Sequence, residues 1–573
     1  MLVATGLLVL HAGLLAYASA VDSPTVDEPA HLVAGLNHWT YGRFDLYRVN
    51  PPLVRLLASL PGYLIGFNAN WTNWSDAPGS RCEFQLGNDF LLANGQHAYR
   101  LIVMGRVVCI LFSLLAGIVC YAWSSEIHGE QGGLLTLAAW VFLPQAIGHG
   151  HLLTPDIAAT GLGAAASYCF WHWIRNPTAA AALRVGIGLG ISLTAKTTCL
   201  VLVPAWVFVW CITRLLRSTQ PAQIRTELLQ GGLQVCVAIF VVNAIYGFDG
   251  CFRRLDAFDF ISDGLTVESP QQRMTDAFRG QASRDNRFAG SWIGCIRIPL
   301  PEQYVLGIDY QRREFEHCPW PSYLRGEFRD HGWPHYYLYA FAVTIPVGTL
   351  ALFALAAVRV MSPAIRHPEA SLLLLTTPLA VLLLVSSQTG MNQHPRYAFM
   401  ALPFLIVMAG ASLERSSAWG IRGVAIVCLL SSVAESLTVY PHSISYFNAL
   451  AGGPANGPQH VLGSSVDWGQ DLLFVKKWLD QHPQARPFHL SYLGPAVPKE
   501  ILDVPHIHPD SESVSAGWYA VSVNYAKGYP TIPIHGRTNW TPERQTRYQK
   551  LLKDPPVDRI GWSIYVYRID SSD

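Results

Sequence analysis

Charge is what this chain has least of. Asp, Glu, Lys and Arg make up 14% of 573 residues, against roughly 25% in ordinary soluble domains. The two signs cancel to a net charge of +1, which excludes the basic surface that nucleic-acid binding needs. Eleven cysteines are present, but none stands in a CxxC or other zinc-ligand spacing. No internal repeat and no low-complexity tract is visible, which argues against solenoid and propeller architectures. The first apolar run, residues 1–20, has neither a basic leader nor a small-residue cleavage site. It reads as a retained first helix and not as a cleaved signal.

What is abundant is apolar and aromatic surface. Apolar residues reach 51%, mean hydropathy is +0.24, and there are 18 Trp and 24 Tyr. That combination marks a polytopic membrane protein with many bilayer interfaces. Runs of membrane-spanning length give about eleven expected spans: 1–20, 100–124, 132–148, 152–174, 178–194, 198–216, 228–247, 333–358, 370–388, 396–412 and 419–440. Of these, 178–194 and 198–216 could be one broken helix. With the N-terminus inside, the inner loops collect Arg175, Arg184, Arg214, Arg217, Arg225, Arg359, Arg366, Arg415 and Arg422, as the positive-inside rule requires. The first loop (21–99), the 149–156 turn, Lys196, the long loop 248–332 and the short loop 389–396 then face outside. Cys82, Cys251, Cys295 and Cys318 lie in outer loops, which leave room for one or two disulfides, without a pairing, if those loops face an oxidising compartment.

The expected fold is therefore mainly α: a transmembrane bundle over 1–440 with a small extramembrane α/β domain over 441–573. In that tail Phe474–Asp480 and Pro542–Leu552 read as helices, and Phe488–Tyr492, Trp518–Val523 and Ile560–Ile569 as strands. Glycosylation sequons begin at Asn70, Asn73 and Asn539, matches short enough to arise by chance.

The chain is organised around Val21–Leu60. Asp22, Asp27 and Glu28 follow the first span directly, and Pro29 suits the first turn of a helix running to Tyr41. A second segment, Pro51–Phe67, carries Arg55, Pro61 and Gly62 and reads as lying along the membrane surface. Acids at the mouth of a span invite a functional reading, although a helix N-terminus also favours them. In HGHLLTPD, residues 149–156, Thr154 can cap and Asp156 sits in the first turn of the next helix. His149 and His151, with carboxylates nearby, are weak candidates for a divalent cation. Lys196 stands alone between apolar runs, Arg106 early in the second expected span, and His394 and Arg396 at the mouth of another. Each cation alone is explained by snorkelling. Acids and cations on one face together suggest an anionic membrane substrate.

These motifs resemble those of the GT-C glycosyltransferases, specifically the protein O-mannosyltransferase and aminoarabinose-transferase group that uses polyprenyl-phosphate sugars. The resembling stretches are VDEPAHLVAGLNHWTYGRFDLYRVNPPL (26–53), HLLTPD (151–156), GLGISLTAKTT (188–198), LRGEFRDHGWPHYYLYAF (324–341), HPRYAFMALPF (394–404), and YFNALAGGP with DWGQDL (446–472). They occur in the family's order over most of the chain. The resemblance implies transfer of a monosaccharide from a polyprenyl-phosphate to a hydroxyl or amine of a protein, lipid or glycan acceptor. The enzyme would be multi-pass in a bacterial cell membrane, with its active site and C-terminal domain extracytoplasmic. It implies catalytic acids at Asp27, Glu28 and Asp156, and sugar-donor phosphate contacts at Lys196, Arg396 and Arg106. Thr344 departs from the pattern, where relatives are expected to carry Lys ahead of a proline.

A carboxylate within reach of the acceptor must take its proton, and Asp27 is the expected base. Direct displacement inverts the anomeric carbon, whereas retention needs a covalent intermediate. Glu28 and Asp156 would orient the acceptor or Asp27. Trp468, Asp467 and His394 are candidates for acceptor binding or a lid, against a bland reading of 467–471 as a capped helix start. No cofactor is certain, and a divalent cation stays open. The competing function is a lipid-linked sugar transporter or flippase, but such folds favour repeated halves and polar breaks near the midplane.

Overall fold

The computed structural model describes residues 1–217, 220–268, 284–318, 320–360, 367–414, 417–505, 516–529 and 555–570. Arg366, Arg415, Asn539 and the expected helix Pro542–Leu552 lie outside the described residues. Most of the described residues are helical, and among them seven helices are long and apolar enough to cross a membrane: Leu2–Val21, Gln96–His128, Thr197–Leu216, Pro221–Ile245, Pro368–Ser387, Pro395–Leu413 and Trp419–Val439. An eighth is counted if Tyr336–Thr344 and Val347–Arg359 form one span, although they meet at 119°.

The differences from the eleven expected spans have local causes. The run 333–358 breaks at Ile345, which takes an extended backbone ahead of Pro346, because a residue before proline is pushed out of the helical region. The run 132–148 is two helices, Glu130–Val141 and Pro144–Gly150, interrupted where Pro144 starts the second. Pro155–Arg175 has the length of a span but carries Asp156, Ser167, His172 and Arg175 along it. Ala179–Ala195 is a shorter apolar helix, and the chain does break at Lys196 before the next span.

Small residues let that shorter helix pack. A Cβ on Gly186 would come within 2.8 Å of the Gln234 carbonyl, and one on Gly190 within 2.6 Å of Val241. Glycine is what allows such close helix approach inside a membrane bundle. The consequence is positional: Lys196, at the C-terminal end of this helix, is fixed against Pro155–Arg175.

Two further helices follow the first span. Glu28–Tyr41 and Leu53–Ile65 pack on each other so closely that a Gly35 Cβ would lie 2.4 Å from the Arg55 carbonyl. Leu64 and Ile65 face outward while Arg55 and Ser59 are buried, the two-sided pattern of a helix lying in the interface.

The tail forms a four-stranded sheet in the order Phe488–Ser491, Gly517–Ser522, Ile564–Ile569, Asp558–Ile560. Its first pair is parallel and the others antiparallel. Leu472–Gln481 covers it through Leu472, Val475 and Leu479. The expected final strand is thus a hairpin's second arm, turned at Gly561 with φ +58, which a glycine adopts without strain. Residues 466–472 are not free of the bundle. Ser23 N donates to the Gln470 carbonyl at 2.8 Å, Val26 N to the Trp468 carbonyl at 3.0 Å, and Leu472 N to Ser23 Oγ at 2.7 Å. The tail clamps the acidic first loop in place.

All eleven cysteines are free thiols, so the outer-loop disulfides that the sequence left open are not formed. Each loop cysteine sits beside a different polar neighbour: Cys82 with Ser75, Cys251 with Asn243, Cys295 with Arg254 and Cys318 with Gln393.

Candidate active site

Four charged side chains from four separated segments meet at the ends of the helices that carry them. Asp27 precedes helix Glu28–Tyr41, Asp156 lies in the first turn of Pro155–Arg175, Lys196 ends Ala179–Ala195, and Arg396 lies in the 3₁₀ turn Pro395–Ala401. Lys196 Nζ donates to Asp156 Oδ1 at 2.6 Å. Arg396 Nε lies 3.4 Å from Asp156 Oδ2, and its Nη2 3.3 Å from Asp27 Oδ2. The four form a continuous chain, Asp27–Arg396–Asp156–Lys196, with charges that cancel. Such cancellation offsets the cost of bringing charge out of water.

Within the chain the two acids differ. Asp156 is 3% exposed and held by both cations. Asp27 is 19% exposed, and Arg396 is its one cation contact among the described residues. Burial pushes the Asp27 carboxyl above its usual range, with Asp156 and Glu28 adding to the rise and Arg396 and Arg81 opposing it. An accessible carboxylate with a raised pKa is the more basic one.

Arg396 is fixed by more than its acids. Its guanidinium stacks over the Trp468 ring at 3.9 Å, a desolvated cation–π contact, and its Nη1 donates to Ser464 Oγ. His394 shares Ser464, at 2.9 Å from Nδ1. Burial first, and Arg396 second, hold the His394 imidazole well below its ordinary pKa, so it is neutral there. Lys196 lies 4.6 Å from the Tyr397 ring centroid. Trp468 and His394 are thus placed at the four-charge chain, through Arg396 and Ser464.

Glu28 and Arg106 stand elsewhere. Glu28 is fully buried and accepts from five groups: Thr25 N at 2.8 Å, Thr25 Oγ1 at 3.1 Å, Leu153 N at 3.0 Å, and Arg106 Nε and Nη2 at 2.7 and 2.6 Å. A carboxylate offers about four lone-pair sites, so none is left for an acceptor. Burial acts to raise the Glu28 pKa, but Arg106 and these hydrogen bonds outweigh it and lower it. Arg106 spends its other N–H groups on the carbonyls of Ser19, Asp22 and Ser23, closing the C-terminal end of the first helix as basic side chains do. The pair ties the interfacial helix Glu28–Tyr41 to the span Gln96–His128 and leaves Arg106 no free N–H toward Asp156 or Lys196 among the contacts it makes.

Asp467 is also internal. It is fully buried and accepts from Ser522 Oγ and from Gly469 N, which places it under the tail sheet. His151 contacts Asp22 at 3.3 Å and is fully buried, while His149 lies against Phe399 and Trp468. Neither belongs to the one group of three metal-ligating side chains among the described residues, which is Asp263, Glu316 and His317. Thr344 turns its hydroxyl to the Ala340 carbonyl at 2.7 Å.

Reasoning from the sequence overlooked Tyr397, Ser464, His31 and Tyr47. Tyr397 lay inside the quoted HPRY run. His31 stacks on Tyr47 at 4.3 Å and follows Asp27 by one helical turn, a spacing that could have found it. Ser464, from a glycine-rich loop, gave no signal.

No protein-family model matches the sequence, and no curated protein matches it. Among solved structures the chain is similar to apo ArnT from Cupriavidus metallidurans, with 13% identity over 98% of each chain and a TM-score of 0.47. It is similar to the same protein bound to undecaprenyl phosphate, with 13% identity, 99% of this chain and 97% of that one, and a TM-score of 0.45. It is similar also to the apo oligosaccharyltransferase of Archaeoglobus fulgidus, with 11% identity over 92% of this chain and 70% of that one, at a TM-score of 0.43.

Proposed function

We propose that this protein is an integral-membrane glycosyltransferase. It moves a monosaccharide from a polyprenyl-phosphate to a hydroxyl or amine on the outer face of the membrane, with inversion. The observation that carries this reading is the chain Asp27–Arg396–Asp156–Lys196, which leaves one carboxylate accessible at its end.

Asp27 takes the acceptor's proton as the acceptor oxygen or nitrogen attacks the anomeric carbon. The bond from that carbon to the phosphate oxygen breaks, and the lipid phosphate leaves with the electron pair. Arg396 and Lys196 compensate the charge that grows on the phosphate. They are already oriented by Asp156, Trp468 and Tyr397, so little reorganisation is needed at the moment of reaction. Asp156 acts by holding the two cations. The lipid stays in the bilayer beside the two interfacial helices.

The test is Asp27→Asn, assayed with radiolabelled lipid-phosphate sugar and, separately, for binding of the polyprenyl phosphate. Transfer should be lost with binding retained. Full transfer by this variant would refute the assignment.

A further inference from the structure

His31 is buried beside the four-charge chain without a hydrogen bond from its ring. It is 3% exposed, and among the described residues the imidazole donates to none and accepts from none. Its nitrogens are nevertheless not sealed in, unlike His149 Nδ1 and His151 Nε2, which are buried without a partner. What remains open of His31 therefore includes its polar edge.

The backbone puts His31 on the helix face that carries Asp27. Asp27 has helical φ and ψ of −84° and −24°, and the His31 N–H donates to its carbonyl at 3.0 Å. The helical repeat thus runs through both residues, and four positions differ by about 40° around the axis. Side chains at that spacing are neighbours one turn apart. Asp27 keeps 19% exposure, so the face they share is open there. Besides Arg55, the charges that act on the imidazole are Asp156, Arg396 and Lys196, the other three members of the chain.

The ring is also held in place. It stacks on Tyr47 with 4.3 Å between centroids. Tyr47 is buried and kept at φ 60, a conformation that persists only where the surroundings enforce it. Phe84, at 5.8 Å, and Arg81, at 5.6 Å, enclose the tyrosine ring. An imidazole fixed through its face, with its edge unused, is arranged in advance for a partner from outside the chain.

Chemistry narrows that partner. Burial first, and Arg55 second, hold the imidazole well below its ordinary pKa, so it is neutral. A neutral imidazole offers one donor and one acceptor, as a hydroxyl does. Phosphate oxygens only accept, and the two cations of the chain meet them better.

We infer that His31 binds a hydroxyl of the donor's sugar, holding that sugar beside Asp27 while its phosphate meets Arg396 and Lys196. The inference rests on the proposed reaction in taking a lipid-phosphate sugar as the ligand. Its measurement is binding, which needs no turnover.

The full-length protein in lipid nanodiscs is titrated with undecaprenyl phosphate and with its mannosyl and aminoarabinosyl derivatives. The quantity read is the affinity gained when a sugar is added to the same lipid phosphate. Wild type should gain with at least one of the two sugars. His31→Phe keeps the stack on Tyr47 and removes both nitrogens. It should lower that gain about three- to tenfold, the worth of one hydrogen bond or two. Affinity for the bare lipid phosphate should stay as it was, and the ligand-free protein should melt no lower than wild type. His31→Gln keeps a donor and an acceptor and should restore part of the gain. Equal losses for the bare and the glycosylated lipid, the behaviour of a purely structural histidine, overturn the proposal. So does an undiminished gain in His31→Phe, or a wild type that gains nothing from either sugar. If His31→Phe fails to fold, His31→Leu takes its place under the same criteria. A protein that recognises the sugar through His31 yet transfers none would refute the reaction and leave the site standing. Transfer with a gain that His31→Phe does not touch would refute the site alone.

Discussion

Asp27 and Glu28 are neighbours in sequence, and their substitutions should fail in opposite ways. Glu28→Gln keeps the shape but removes the charge that faces Arg106, a side chain only 1% exposed. Breaking one partner of a buried pair leaves an uncompensated charge, at a cost of about 3–5 kcal/mol. That is a large share of the ~5–15 kcal/mol by which proteins are stable. Asp27→Asn gives up a single 3.3 Å contact to Arg396 on a side chain that keeps 19% exposure, for about 1 kcal/mol or less. Its cost falls on catalysis, where a lost general base is worth ~10²–10⁴-fold. Thermal unfolding in detergent, followed by size-exclusion fluorescence, reads the first effect, and radiolabelled sugar transfer reads the second. Because burial raises the Asp27 carboxyl, wild-type transfer should fall as pH is lowered, starting above the ordinary carboxylate range. A Glu28→Gln protein that melts like wild type yet transfers nothing would place Glu28 in the chemistry. An Asp27→Asn protein that unfolds early would remove Asp27 from it.

Other consequences are as direct. Lys196→Met and Asp156→Asn should each weaken both stability and sugar-donor affinity, and the double variant should lose less stability than the sum, since the pair is 2.6 Å apart; additive losses in a double-mutant cycle would refute the coupling. Trp468→Ala should cost about 1–2 kcal/mol through the stacked Arg396, with Trp468→Phe restoring most of it in the transfer assay. Asp467 is pushed up to about 7 by burial, against the pull of its Ser522 and Gly469 donors. An acid raised above its unfolded value gives stability that is full below that value, near ~3.9, and is lost as pH rises toward 7. Asp467→Asn should therefore flatten the decline in melting temperature between about pH 4 and 7, and an unchanged slope would exclude this residue as its source.

Much of the scaffold could be read before any coordinates. Hydrophobic runs and their caps located the interfacial helices 28–41 and 53–65 and the tail's first two strands almost to the residue, because burial periodicity and proline placement act locally. Two long runs are interrupted in the folded chain, and the reason is also local: Pro144 and Pro346 break helices that hydropathy alone joins. The helices Glu83–Asn94 and Glu302–Glu316 were missed inside loops, since their polarity hides them from a search for membrane spans.

The sequence by itself determined that acids and cations gather at one end of the spans, since charge is excluded from hydrocarbon and must sit where spans end. Which acid faces which cation was settled only by tertiary packing. Asp27 and Glu28 differ by one position on a helix, about 100° of rotation, and that turn sends one toward Arg396 and the other into Arg106. Arg55 and Arg106 are likewise indistinguishable as letters in apolar runs. Only the folded chain gives Arg106 its carboxylate and leaves Arg55 without an ion pair among the described residues, because pairing depends on which distant segment packs opposite.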